Sequence, residues 1–146
     1  MTKLTSKLYI GDSADESHAD LDTEDIRSVL NVAQDLQPTR GWRSGVEYMQ
    51  VGLIDGPGNP PSAYCAAVLA LGTLLRHGRT LVVCHTGSRS LAVAVMYLAT
   101  TVKRSWGEWI NLLRERVDAD LPVVHQEHAV AMEKINWRLL ADLLEE

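Results

Sequence analysis

The stretch from Thr80 to Val102 constrains this chain of 146 residues more than any other. Thr80-Leu81-Val82-Val83 is a continuous apolar run without polar alternation, the pattern of a strand covered on both faces. It leads directly into a polar turn, Cys84 to Ser90, and then into Leu91 to Val102, apolar and of helical length. A buried strand feeding a helix through a glycine turn needs layers on both sides of a sheet, the arrangement of an α/β sandwich.

The rest of the chain fits that arrangement. Leu8-Tyr9-Ile10-Gly11 reads as a short strand, and the acidic segment from Asp12 to Asp20 as a connection. Thr23 is placed to cap a short helix through Arg27, and Ser28 to Ala33, rich in β-branched residues, reads as a buried strand. Glu47 to Leu53 makes a third strand, after which Ile54 to Pro61 carries too many Gly and Pro residues for regular structure. A helix from Ser62, with Cys65, Val68, Leu69, Leu71, Leu74 and Leu75 at helical spacing, stops at Gly78. Ser105 and Glu108 form a capping box for a helix through about Val117. Pro122 breaks the chain, and Met132, Ile135, Leu139 and Leu143 give a last amphipathic helix. The expectation is one domain over residues 1–146, with a mostly parallel central sheet of four or five strands flanked by helices. Ligands of such folds sit beyond the carboxyl ends of the strands, where Cys84 falls.

Charge and cysteine content narrow the function. With 14 Lys and Arg against 19 Asp and Glu, the net charge is -5, which argues against general affinity for nucleic acid or anionic lipid. Any anion must therefore be captured locally. Two cysteines are too few for a disulfide framework, and the N-terminus lacks the pattern of a secretory signal. A reduced, cytoplasmic setting is expected. Leu91 to Val102 is shorter than the roughly 20 residues of a membrane helix, so no membrane association is expected either.

The turn after the apolar strand is built for an anion. Successive N–H groups of His85, Thr86, Gly87 and Ser88 can converge into a nest, the following helix start adds partial positive charge, and Arg89 supplies a guanidinium fork. The same field favours thiolate over thiol, which makes Cys84 a nucleophile at neutral pH. Ser90 can donate a hydrogen bond to the sulfur, and Gly87 permits positive φ. Cys65, on an apolar helix face, reads as a small core residue instead. An Arg at a helix N-terminus is disfavoured by the dipole unless an anion compensates it, so Arg89 is more than a solvated charge.

Five pieces in this order resemble a dual-specificity protein phosphatase of the cysteine-dependent protein tyrosine phosphatase superfamily. They are Leu8 to Gly11, Val29 to Ala33, Tyr48 to Asn59, Cys84 to Ser90 and Ser105 to Arg116, and the resemblance runs from Leu8 to about Asn136. It implies that Cys84 attacks phosphorus to form a phosphocysteine, that Arg89 clamps the phosphate, and that Asp55 protonates the leaving oxygen. Asp55 then takes a proton from the attacking water. Asn59 matches a polar position that often follows the acid, and Ser90 the hydroxyl beside the thiolate. The implied substrates are phosphotyrosine, with phosphoserine and phosphothreonine as further options, on a protein or a small phosphomonoester. The route calls on no metal and no cofactor. On its residues alone, Asp55 in a Gly-Pro loop reads as a turn former. Its family-like position favours the catalytic role.

The pattern departs from the family in length. Four residues separate Cys84 from Arg89 where the family has five, with the missing one between Gly87 and Arg89; Val83 stands where a histidine is common, and Leu91 where a proline or small residue often follows. One N–H fewer toward a tetrahedral dianion, at about 1.5 to 3 kcal/mol per hydrogen bond to a charged group, predicts a penalty of about ten- to a hundredfold in transition-state stabilisation. A four-residue spacing is also that of rhodanese-like sulfurtransferases, in which Cys84 would carry a persulfide, and a weakly active phosphate-recognition module is a third alternative. Asp55 and the first half of the chain favour the phosphatase. His125 and His128 fall short of a metal site and read as the solvated first turn of the last helix. Trp106, Trp109 and Trp137 read as helix core. Trp42, flanked by Arg40 and Arg43, lies in a polar loop that either meets a phosphorylated substrate or simply covers the domain.

Overall fold

The structure is a computed structural model that describes residues 1–12, 18–36, 45–101, 105, 107–108, 111–112, 115, 128 and 137–145. Five strands form one sheet: β1 (Thr2–Lys3), β2 (Leu8–Gly11), β3 (Ser28–Ala33), β4 (Glu47–Leu53) and β5 (Thr80–Val83). Their spatial order is β1-β2-β5-β3-β4. All pairings are parallel except β1 against β2. The described helices are α1 (His18–Thr23), α2 (Pro61–Leu75), α3 (Ser88–Thr101) and α4 (Trp137–Glu145).

The central place of β5 follows from its composition. Every residue of Thr80–Val83 is buried, as is every residue of Ser28–Ala33, and the two strands are neighbours. One face of the sheet packs Leu8, Ile10, Leu30, Val32 and Val82 against α2 and α3. The other packs Tyr9, Val29, Leu81 and Val83 against Leu21 and Ile26. Alternate residues of one strand thus serve opposite layers, the reason such strands carry no polar alternation. Burial raises the Tyr9 phenol above its ordinary range, partly offset by the Arg79 cation.

Several elements start or stop elsewhere than expected. The first helix lies before Thr23 and not after it, because the chain turns there through Asp25 at φ 53 to enter β3. Helix α2 opens with Pro61 at its first position behind Pro60, since a residue without N–H loses nothing in the first turn. Helix α3 begins at Ser88 and not at Leu91, so Arg89 and Ser90 lie inside its first turn. In α4, among the described residues, Leu140 is buried and Leu144 packs against the core, while Leu143, expected on the apolar stripe, is 43% exposed. The predicted cap after α3 is present, with Glu108 N–H donating to Ser105 Oγ at 3.2 Å. Met132, Ile135 and the side chains of Leu139, Trp106, Trp109 and Trp137 lie outside what is described, as do Trp42 and its flanking arginines.

Candidate active site

Strand order explains why one end of the sheet becomes a site. Because β3 and β5 are parallel neighbours, with Asn31 opposite Val83, the residues just past each strand emerge side by side. Beyond β5 come Cys84 to Ser90; beyond β3 come Gln34, Asp35 and Leu36; beyond β4 comes the loop with Asp55.

Cys84 lies at the end of β5 with no accessible surface. Two main-chain donors converge on its sulfur, Gly87 N–H at 3.1 Å and Ser90 N–H at 3.4 Å, so both dipoles turn their positive ends toward Sγ. Gly87 has φ 87, the left-handed conformation that lets the chain turn back over the thiol. The Ser90 side chain does not reach the sulfur as expected. Its hydroxyl donates to Gly11 O at 3.3 Å, tying the turn to β2. The cause is the early start of α3: a first-turn N–H has no intrahelical partner, so the main chain of Ser90 takes the role foreseen for its hydroxyl. His85 and Thr86 are exposed at the rim, while Ser88 is buried.

Arg89 is the largest fully buried side chain among the described residues, only 2% exposed. Its Nη1 donates to Leu53 O at 2.7 Å and to Asp35 Oδ1 at 2.9 Å. Its Nε is buried and has no hydrogen-bond partner among the described residues. The predicted fork is thus half committed to the protein, and the remaining edge is a buried cationic donor awaiting an acceptor.

Asp35 was not expected from the sequence. Its carboxylate bridges the site, Oδ1 on Arg89 and Oδ2 3.4 Å from His85 Nε2. The hydrogen bond from Arg89 holds its carboxyl below the ordinary range against an opposing desolvation, with a main-chain hydrogen bond and the Arg89 and His85 charges adding to the lowering. Asn31 and Gln50 shape the turn that presents it. Asn31 Oδ1 accepts from Ala33 N–H and its Nδ2 donates to Leu36 O, while Gln50 Nε2 donates to Ala33 O.

Asp55 follows Leu53, the residue whose carbonyl receives Arg89, by two positions. Its loop is held by Asn59, which accepts from Ile54 N–H at 2.8 Å and donates to Ile54 O at 2.7 Å, closing a ring through one side chain. Gly56 and Gly58, at φ 155 and 109, complete the reversal. His128 is not solvated, contrary to expectation: it has no accessible surface, its Nδ1 is 2.6 Å from Tyr64 Oη, and its Nε2 is 3.6 Å from Asp55 Oδ1. The sequence reading set it in the solvated first turn of the last helix, whereas the packing turns it onto Tyr64 of α2. His125 is outside the described residues. Cys65 packs at the core margin, and burial pushes its thiol up.

Among the described residues no group of three His, Cys, Asp or Glu side chains could hold a metal, and no helix is long and apolar enough to cross a membrane. No protein-family model and no curated protein matches the chain. Solved structures do. DUSP15 superposes with a TM-score of 0.84 at 20% identity, over 99% of this chain and 94% of its own. Human DUSP28 gives 0.79 at 20% identity, over 97% and 99%. A mouse putative dual specificity phosphatase complexed with zinc tungstate gives 0.80 at 21%, over 98% and 90%. The chain has the dual-specificity phosphatase fold. That fold carries the expected five-stranded, mostly parallel sheet, and it places Cys84, Arg89 and Asp55 at one end of it.

Proposed function

We propose that the protein is a phosphatase that hydrolyses phosphomonoesters, phosphotyrosine foremost, through a phosphocysteine on Cys84. The observation that carries this reading is the half-satisfied guanidinium of Arg89. A buried donor without a partner costs about 1 to 3 kcal/mol, more when charged, and an oxyanion beside Cys84 would remove that cost. Nη1 holds the group in place and Nε is left for phosphate.

In this reading the sulfur attacks phosphorus while Asp55 gives its proton to the departing oxygen, so the P–O bond breaks as the S–P bond forms. Water then displaces the sulfur, losing its proton to Asp55, and the S–P bond breaks. The N–H groups of residues 85–89, the partial charge of the α3 N-terminus and Arg89 stabilise charge on the equatorial oxygens. No metal or cofactor enters, and the free thiol suits a cytoplasmic setting. A phosphorylated protein or small phosphomonoester is the partner.

Turnover of p-nitrophenyl phosphate, inhibited by vanadate and abolished in Cys84→Ser, is the expected result. Thiocyanate formation from thiosulfate and cyanide, indifferent to Asp55 and without phosphate release, would overturn it in favour of sulfurtransfer.

A further inference from the structure

We propose that His128 is a positioning residue for Asp55, acting with Tyr64 to aim one carboxylate oxygen at the leaving group; this rests on the phosphatase reading above. A fully buried imidazole is costly unless its nitrogens are used, and here both face polar atoms. Tyr64, 1% exposed on α2, meets Nδ1 at 2.6 Å, and the two rings are set edge to face at 5.7 Å.

The direction of the protons follows from Asn59. Its Nδ2 can only donate, so Tyr64 Oη, 3.3 Å away, accepts there, and in the proposed arrangement the phenol proton points to His128 Nδ1. The imidazole proton then sits on Nε2, facing Asp55 Oδ1 at 3.6 Å. That separation exceeds a formed hydrogen bond by about half an ångström, a gap that catalytic pairs commonly close when substrate binds. A donor on Oδ1 fixes rotation of the carboxylate and with it the direction of the other oxygen. The same Asn59 that closes the Asp55 loop thus links it to the buried pair, so loop and carboxylate are oriented by one network.

The test compares two leaving groups. Phenoxide departs poorly without a proton, whereas p-nitrophenoxide departs well unaided. His128→Leu, which fills the space without a donor, is expected to lower kcat/KM on phenyl phosphate about tenfold, as for a misaligned catalytic group. On p-nitrophenyl phosphate kcat/KM changes by under about twofold, because forming the phosphocysteine there needs no proton from Asp55. Tyr64→Phe, which keeps the ring, shows the same split at smaller size. In the Asp55→Asn background, His128→Leu adds no further loss. Equal losses on both substrates, no loss on either, or additive losses with Asp55→Asn would overturn the proposal. If Asp55→Asn itself fails to discriminate between the substrates, the acid assignment falls and this proposal with it. If Asp55→Asn discriminates and the His128 and Tyr64 variants do not, this proposal alone falls.

Discussion

Asp35 Oδ1 accepts from Arg89 Nη1 at 2.9 Å, joining the turn after β3 to the first turn of α3. The carboxylate is largely exposed, while the guanidinium is buried, so the pair is wet on one side and dry on the other. Leu53 O and Asp35 together fix Nη1 of Arg89.

Asp35→Asn is expected to lower kcat/KM by about tenfold through misdirection of Arg89. Stability gives an independent reading. The carboxyl is held below its ordinary value of 3.8, so ionised Asp35 stabilises the fold above that pH, and the contribution is lost as pH falls through the lower folded value. Thermal unfolding should show wild type above Asp35→Asn at neutral pH, with the difference closing below about pH 4. The pair is largely exposed on the Asp35 side, so the difference is small.

Asp55→Asn removes the proton donor. On phenyl phosphate kcat/KM, which reports the step up to phosphocysteine formation, should fall by about a hundredfold or more, and on p-nitrophenyl phosphate by far less, while kcat falls on both because water loses its base. Steady-state kinetics on the two substrates measures this.

Gly87→Ala places a side chain at φ 87, which costs about 1 to 2 kcal/mol and tilts the N–H that reaches Cys84. Loss of tungstate affinity in calorimetry, with the fold intact by circular dichroism, is the expected outcome.

Cys65→Ala should leave turnover unchanged. Burial pushes that thiol up, so it stays protonated near neutral pH and does not compete as a nucleophile. A pH–rate profile that overlays wild type is the check.

Much of the fold is legible in the sequence. β3, β4 and β5 coincide with the residues whose composition marks them; β3 and β5 do so because a run of β-branched and apolar residues can be satisfied only by cover on both faces, while β4 is an edge strand buried mainly at Leu53. Cys84, Gly87 and Arg89 are legible too, since a thiol, a glycine and a cation between strand and helix form a local pattern. Asp35 is not. Its importance comes from β3 lying beside β5 and not beside β2, and spatial order is a long-range property that no local window holds. The sign that could have found it is an acid just past the end of a buried strand. His128 escaped for a related reason: two histidines short of a metal site give no local sign of burial, and only Tyr64 on α2 shows which side it faces. The Ser90 hydroxyl was misassigned because α3 starts at Ser88, which puts the Ser90 N–H, and not its hydroxyl, on the Cys84 sulfur.

The most direct measurement is rapid quenching of Asp55→Asn during turnover of p-nitrophenyl phosphate, followed by mass spectrometry of the peptide containing Cys84. The account predicts one added phosphoryl group on Cys84, absent when Cys84→Ser is combined with it. Product formation with Cys84 unmodified throughout would contradict it.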